Sequence, residues 1–218
     1  MTSRRRWLLT IPVALGLFAA ACRDATAPLS PRDVVAPQGN YVTGPQADFL
    51  ADWLTPCILQ QAPSAPPLET YQVSFWARHD RETNVAVNYT SGEPYLRFRI
   101  PKFGLKWTPD GARVQGSDSV LVTLTLDPVK LAVSFQPSGL VFSDVFAAQL
   151  AIYYENANPD LNGDGVVNLT DWVLKLRLGI WGNSDRSPRW FKVGSRNNTS
   201  QQFVAGSIYH FSLYAVSY

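Results

Sequence analysis

The sequence predicts an all-β domain, an antiparallel β-sandwich interrupted by one inserted loop with a short helix. Three observations carry that expectation. From Thr70 onward, apolar and polar residues alternate with period two in many short runs, and turn-forming residues recur between the runs. Aromatic residues are abundant, with 7 Trp, 9 Tyr and 11 Phe in 218 residues, and such rings suit pleated sheets. No long run carries helical periodicity. Many short strands without long helices give a sandwich or a barrel, and spacing alone does not give their order.

Residues 1–22 have the grammar of an export signal. Arg4, Arg5 and Arg6 form a positive start, and residues 7–18 form an apolar run. That run is shorter than the ~20 residues a membrane-spanning helix needs. Ala19, Ala20 and Ala21 then precede Cys22. The arrangement resembles a bacterial lipobox, with Ala19 standing where that family usually has Leu. The resemblance implies acylation of Cys22 and anchoring to a membrane. Arg23, in place of Asp, favours an outer-membrane address. The alternative is ordinary cleavage near Ala21, which frees Cys22 to bridge with Cys57, the only other cysteine. If Cys22 is acylated, Cys57 is left as a small buried apolar residue.

The leader also accounts for the charge. Its three arginines belong to the 19 Lys and Arg that face 17 Asp and Glu, so the remainder is slightly acidic. No basic stripe remains to neutralise phosphates, and nucleic-acid binding is not expected.

Residues 23–69 contain eight of the sixteen prolines, among Ala, Ser, Thr and Gln, a spacer composition. Within it, Phe49, Leu50, Trp53 and Leu54 fall on one face of a short helix that ends before Pro56.

The expected domain covers residues 70–218. Alternating runs lie at 71–77, 84–90, 95–100, 119–126, 131–135, 148–154, 190–193, 202–205 and 208–216. The cleanest places Val120, Val122, Leu124 and Leu126 on one face. Two strings are distinctive. Pro137, Gly139 and Phe142 form a Pro-x-Gly-x-x-Phe segment, and residues 210–216 read His-Phe-Ser-Leu-Tyr-Ala-Val. Together they resemble the β-sandwich domain shared by zonula-occludens proteins and netrin receptors, in its bacterial lipoprotein versions. The resemblance implies a structural or interaction module with no catalytic residues to transfer.

An insertion at 158–179 carries the strongest motif. Counting Asp160 as one, oxygen side chains fall at one, three, five, nine and twelve: Asp160, Asn162, Asp164, Asn168 and Asp171. Gly165 stands at six, where the chain turns sharply. Val166 at seven offers its carbonyl, and Val167 at eight is expected to point inward. A hard cation takes six to eight oxygens, so this spacing points to Ca2+. Residues 171–178 read as an exit helix closed at Gly179.

The loop resembles one half of a dockerin repeat, with Asn168 and Asp171 matching that family. The resemblance implies partner contacts at Leu169 and Thr170. A dockerin has two such loops and this sequence has one, so calcium is carried over and the cohesin partner is not.

No enzyme chemistry is expected. His79 is expected at a solvated hairpin tip, and His210 as a hydrogen-bonded structural residue. Neither has zinc spacing. Trp76, Trp107, Trp181 and Trp190 are expected in the core; an exposed coplanar set would instead mark a sugar platform. The expected function is a non-enzymatic exported lipoprotein of the cell envelope, a structural or interaction module clamped by calcium. The alternatives are a carbohydrate-binding module and a hydrolase using a carboxylate pair.

Overall fold

The computed structural model describes residues 56–183 and 189–218. The leader, Cys22, most of the spacer and the expected helix at 47–54 lie outside the described residues. The strands in chain order are β1 (Gln72–Arg78), β2 (Thr83–Asn88), β3 (Pro94–Ile100), β4 (Leu105–Trp107), β5 (Ser119–Leu126) and β6 (Ala132–Gln136). They continue with β7 (Val141–Phe142), β8 (Ala148–Tyr153), then the helix α1 (Leu169–Arg177), then β9 (Gly179–Asn183). Last come β10 (Trp190–Lys192), β11 (Ser195–Asn198), β12 (Phe203–Ile208) and β13 (Leu213–Ser217).

All named pairings are antiparallel. One sheet runs β1-β5-β6-β13-β9-β10, a second runs β11-β12-β8-β3-β2, and β4 pairs with β7 apart from both. The alternation of the sequence is the alternation of the faces. Val122, Leu124 and Leu126 turn inward from β5, while Leu121 is exposed. Leu96, Phe98 and Ile100 turn inward from β3 and Leu150 and Ile152 from β8. Each large apolar side chain removed from water in this way stabilises the fold by roughly 1.5–3 kcal/mol.

Aromatic rings occupy the centre of the core. Phe135 lies 4.7 Å from Phe98 and 4.9 Å from Phe211, centroid to centroid. Phe211 also meets Phe142 edge-on at 5.0 Å. The two distinctive strings are thus brought together. Phe211 N–H donates to the Leu140 carbonyl, Phe142 N–H donates to the Tyr209 carbonyl, and Val141 bridges His210. Gly139 turns with φ of 82°, a conformation that suits glycine.

Three expectations need correction here. Residues 56–69 are not spacer: Ile58 bridges Ser217, Gln60 bridges Lys130, Leu68 bridges Tyr89, and Leu59 and Leu68 are buried. Leu59 and Leu68 belong to the hydrophobic core, so residues 58–68 are part of the packed body. Gly179 does not close the helix. Leu178 is the C-cap in extended backbone, and Gly179 enters β9 opposite Ser217. There a Cβ would meet Lys192 Cε at 3.1 Å and Ser195 Oγ at 3.3 Å, a tight fit that the flexible lysine side chain can relieve. His79 is half-buried, with Nδ1 2.9 Å from the Leu105 carbonyl, because the segment after β3 folds back over it.

The tryptophans divide. Trp181 is buried, whereas Trp76 is 63% exposed and Trp107 38% exposed. Trp76 sits opposite exposed Leu121 on the outer face of the six-stranded sheet.

The outer face of the five-stranded sheet has its own order. One cross-strand row reads Ala86, Arg97, Ala151, Ala205, Arg196. The row on one side reads Asn84, Arg99, Gln149, Ser207. On the other side Tyr153 faces Phe203, with rings 5.3 Å apart.

His210 is partly buried between Phe191 and Tyr214. Burial lowers its pKa below 6.5, and the Phe211 carbonyl opposes this more weakly. The unfolded chain therefore takes up the proton first as pH falls, and stability is fully present above the unfolded value. We expect the thermal midpoint to drop as pH falls from about 7.5 to about 5. A His210→Gln variant should show a shallower drop over the same range in melts followed by circular dichroism; an unchanged slope would assign the effect to other groups.

Candidate functional site

The 160–171 loop leaves β8 through a turn in which Ala157 N–H donates to the Tyr154 carbonyl. Leu161 packs partly buried against the core, and Tyr218 Oη donates to its carbonyl at 3.0 Å. From this foothold the chain curls around Asp160. Oδ1 of Asp160 accepts from the N–H of Gly163 at 2.8 Å and of Asp164 at 3.2 Å, and Oδ2 accepts from Gly165 at 2.8 Å. Gly163 and Gly165 have φ of 72° and 86°, so the tight winding relies on residues without a Cβ.

The second half is organised by the helix start. Asn168 is the N-cap of α1, and its side chain accepts from Thr170 N–H at 2.7 Å. Asp171 closes the capping box by accepting from Asn168 N–H at 2.8 Å. Its other oxygen reaches across the loop to Leu161 N–H at 2.8 Å and Asn162 N–H at 3.4 Å. Asp171 is buried. Burial alone pushes its carboxyl up, but the donors from Asn168, Leu161 and Asn162 outweigh this and hold it below the usual value.

The six positions expected as ligands are therefore gathered in one loop but differ in what they do. Asp160 is central. Asn162 Nδ2 donates to Asp164 Oδ2 at 2.8 Å, and Asn168 Nδ2 donates to the Val166 carbonyl at 3.2 Å. Every candidate donor is oxygen, which suits a hard divalent cation. Oδ2 of Asp160 and Oδ2 of Asp171 each accept one N–H and keep a further lone pair, whereas Oδ1 of each already accepts two. Among the described residues, no three His, Cys, Asp or Glu side chains stand as a ready metal-holding group. The loop is instead closed on itself by amides.

Val167 does not point inward; it is 62% exposed. An inward residue at this position needs a second loop to cover it, and the sequence supplies one loop only. Val166, Leu169, Trp172, Val173 and Leu176 are exposed as well. The expected contact positions Leu169 and Thr170 both stand at the surface.

Cys57 is half-buried and disulfide-bonded, not a free buried thiol. Sequence reasoning also missed the arginines of the five-stranded sheet, because only strand register aligns Arg97 with Arg196. They border a shallow groove of about 1130 Å³. No protein family, curated protein or solved structure matches this chain.

Asp171→Ala leaves the partly buried N–H of Leu161 and the N–H of Asn168 at the helix start without their acceptor. An unsatisfied buried donor costs about 1–3 kcal/mol. We expect a loss of roughly 2 kcal/mol or more in urea unfolding in calcium-free buffer, against less than about 1 kcal/mol for exposed Asp164→Ala. Equal losses would mean that Asp171 does not hold the loop.

Proposed function

We propose that this chain is a non-enzymatic exported lipoprotein, held at the outer membrane of the cell envelope through Cys22. Its β-sandwich serves as a structural or interaction module, of the kind found in zonula-occludens proteins and netrin receptors. One Ca2+ clamps the 160–171 loop. The observation that carries the calcium reading is the closure of the loop around Asp160, with glycines at the two left-handed positions. The ion would be held by Asp160, Asn162, Asp164, the Val166 carbonyl, Asn168 and Asp171, and it would supply positive charge among three carboxylates. Asn162 and Asp164 would exchange their mutual hydrogen bond for contacts to it.

Calorimetric titration of the mature chain with calcium should give one site, with dissociation constants on the order of 10⁻⁴–10⁻³ M, as extracellular modules use. The melting temperature should rise with calcium, since a ligand that binds only the folded state stabilises it. A variant carrying Asp160→Ala and Asp164→Ala should lose both effects. Absence of heat and of any melting shift in the unaltered chain at millimolar calcium would remove the reading.

A second use of Cys22 is favoured by the disulfide at Cys57. One sulfur cannot carry both a thioether-linked lipid and a bridge. Lipid anchoring predicts that Triton X-114 partitions the mature protein into detergent and that Cys22→Ser moves it to the aqueous phase. A bridged, lipid-free chain would stay aqueous throughout, and its mass would rise by two alkyl groups only after reduction.

A further inference from the structure

The outer face of the five-stranded sheet is a trough that runs across the strands. Ala86, Ala151 and Ala205 make its floor, so the backbone lies open along one row. The two walls differ in chemistry. The row on one side carries the amides of Asn84 and Gln149, the Ser207 hydroxyl and Arg99 paired with Glu82, to which Asn84 Nδ2 also donates at 2.8 Å. The row on the other side, beyond the residues that line the groove, carries the paired rings of Tyr153 and Phe203. Five strands at ~4.8 Å spacing give the trough a length of about 19 Å, enough for a chain and more than a single small anion needs.

Charge sets the chemistry of the occupant. Arg97 and Arg196 lie in the floor row, three strand spacings or about 14 Å apart at the backbone. Among the described residues neither has a carboxylate within ion-pairing distance, whereas Arg99 beside them is paired with Glu82 at 2.6 Å. Arg97 is also fixed in place. Its Nη1 donates to the carbonyls of Leu96 at 3.0 Å and Val87 at 3.2 Å, and its guanidinium lies 5.9 Å from the Tyr153 ring centre. A guanidinium so held is pre-organised for a carboxylate and keeps further N–H groups for it.

We propose that this trough binds a linear polysaccharide bearing carboxylates, a uronate-type chain. The aromatic wall takes a sugar face, the amide and hydroxyl wall takes hydroxyl groups, and Arg97 and Arg196 take two carboxylates along the chain. An extended peptide fits less well, because β3, β8 and β12 are paired on both sides and offer no free backbone edge for strand addition. Two unpaired guanidiniums on a slightly acidic chain are too few for nucleic acid. The binding surface is independent of the calcium loop, and its failure would leave the calcium reading standing.

The test uses the mature chain in calcium-free buffer, titrated by calorimetry with a hexameric oligogalacturonate. Its carboxyl-reduced neutral hexamer and a hexaglutamate peptide serve as comparisons. Saturable binding of the uronate, at least tenfold tighter than of either comparison, is expected. Arg97→Gln with Arg196→Gln should weaken it at least tenfold, and Ala205→Leu, which fills the floor, should do likewise. Arg113→Gln, an equal loss of charge elsewhere, should leave it unchanged. Melting temperatures identify any variant that is merely misfolded. No uronate binding, equal binding of the neutral hexamer or of hexaglutamate, or indifference of a folded Ala205→Leu variant would overturn the proposal.

Discussion

The buried carboxylate of Asp171 is the constraint on which the inserted segment depends. α1 has nine residues, too few to hold a helix in water by itself. Amphipathic helices are usually fixed by an apolar face against the core, yet Asp171 is the only residue of α1 that is buried. The helix is therefore placed by polar ties: Asp171 to the loop start at Leu161, Asn168 as cap, and the Lys175 carbonyl accepting from Asn197 Nδ2 at 2.7 Å. One consequence is that Leu169, Trp172, Val173 and Leu176 remain at the surface at helical spacing. Another is that the geometry of the loop and the position of the helix form a single cooperative unit.

The sandwich beneath supplies a rigid frame for that unit. The loop departs from β8, which is paired on both sides, and the helix returns directly into β9, held between β13 and β10. Gly182 in β9 shows how closely this frame is packed, since a Cβ there would lie 2.3 Å from the Phe191 ring. Packing of this density transmits strain instead of absorbing it. The loop is thus bracketed by β8 and β9, each held by neighbours on both sides. The trough lies on the other face of the sheet that contains β8, where side chains alternate outward from the same backbone.

Much of this architecture is legible in the residues, and the failures have physical reasons. Strands with clean alternation, such as β5 with Val122, Leu124 and Leu126, declare themselves because one face meets the core and the other meets water. β4 and β7 are too short for a period to appear, and β9 reads Gly-Ile-Trp-Gly-Asn with four of its five residues buried, so it does not alternate. β11 reads Ser-Arg-Asn-Asn and exists only through its partner β12. In the loop, residue type and spacing locate Asp160, Gly165 and Asn168, since those choices are local. Burial of Asp171 and exposure of Val167 are tertiary facts. The row containing Arg97 and Arg196 is less visible still, because a one-residue slip in register would send either side chain to the opposite face.

The account turns on whether the loop, closed by its own amides, opens its oxygens to a divalent ion. Amide-resolved nuclear magnetic resonance of the mature chain, followed as calcium is added, reads this at the atoms concerned. The account predicts that the N–H signals of Gly163, Gly165 and Asn168 move together and saturate at one calcium per chain, while those of Leu124 and Phe135 in the core stay in place. Loop signals that remain fixed at millimolar calcium, or that drift without saturating, would contradict it.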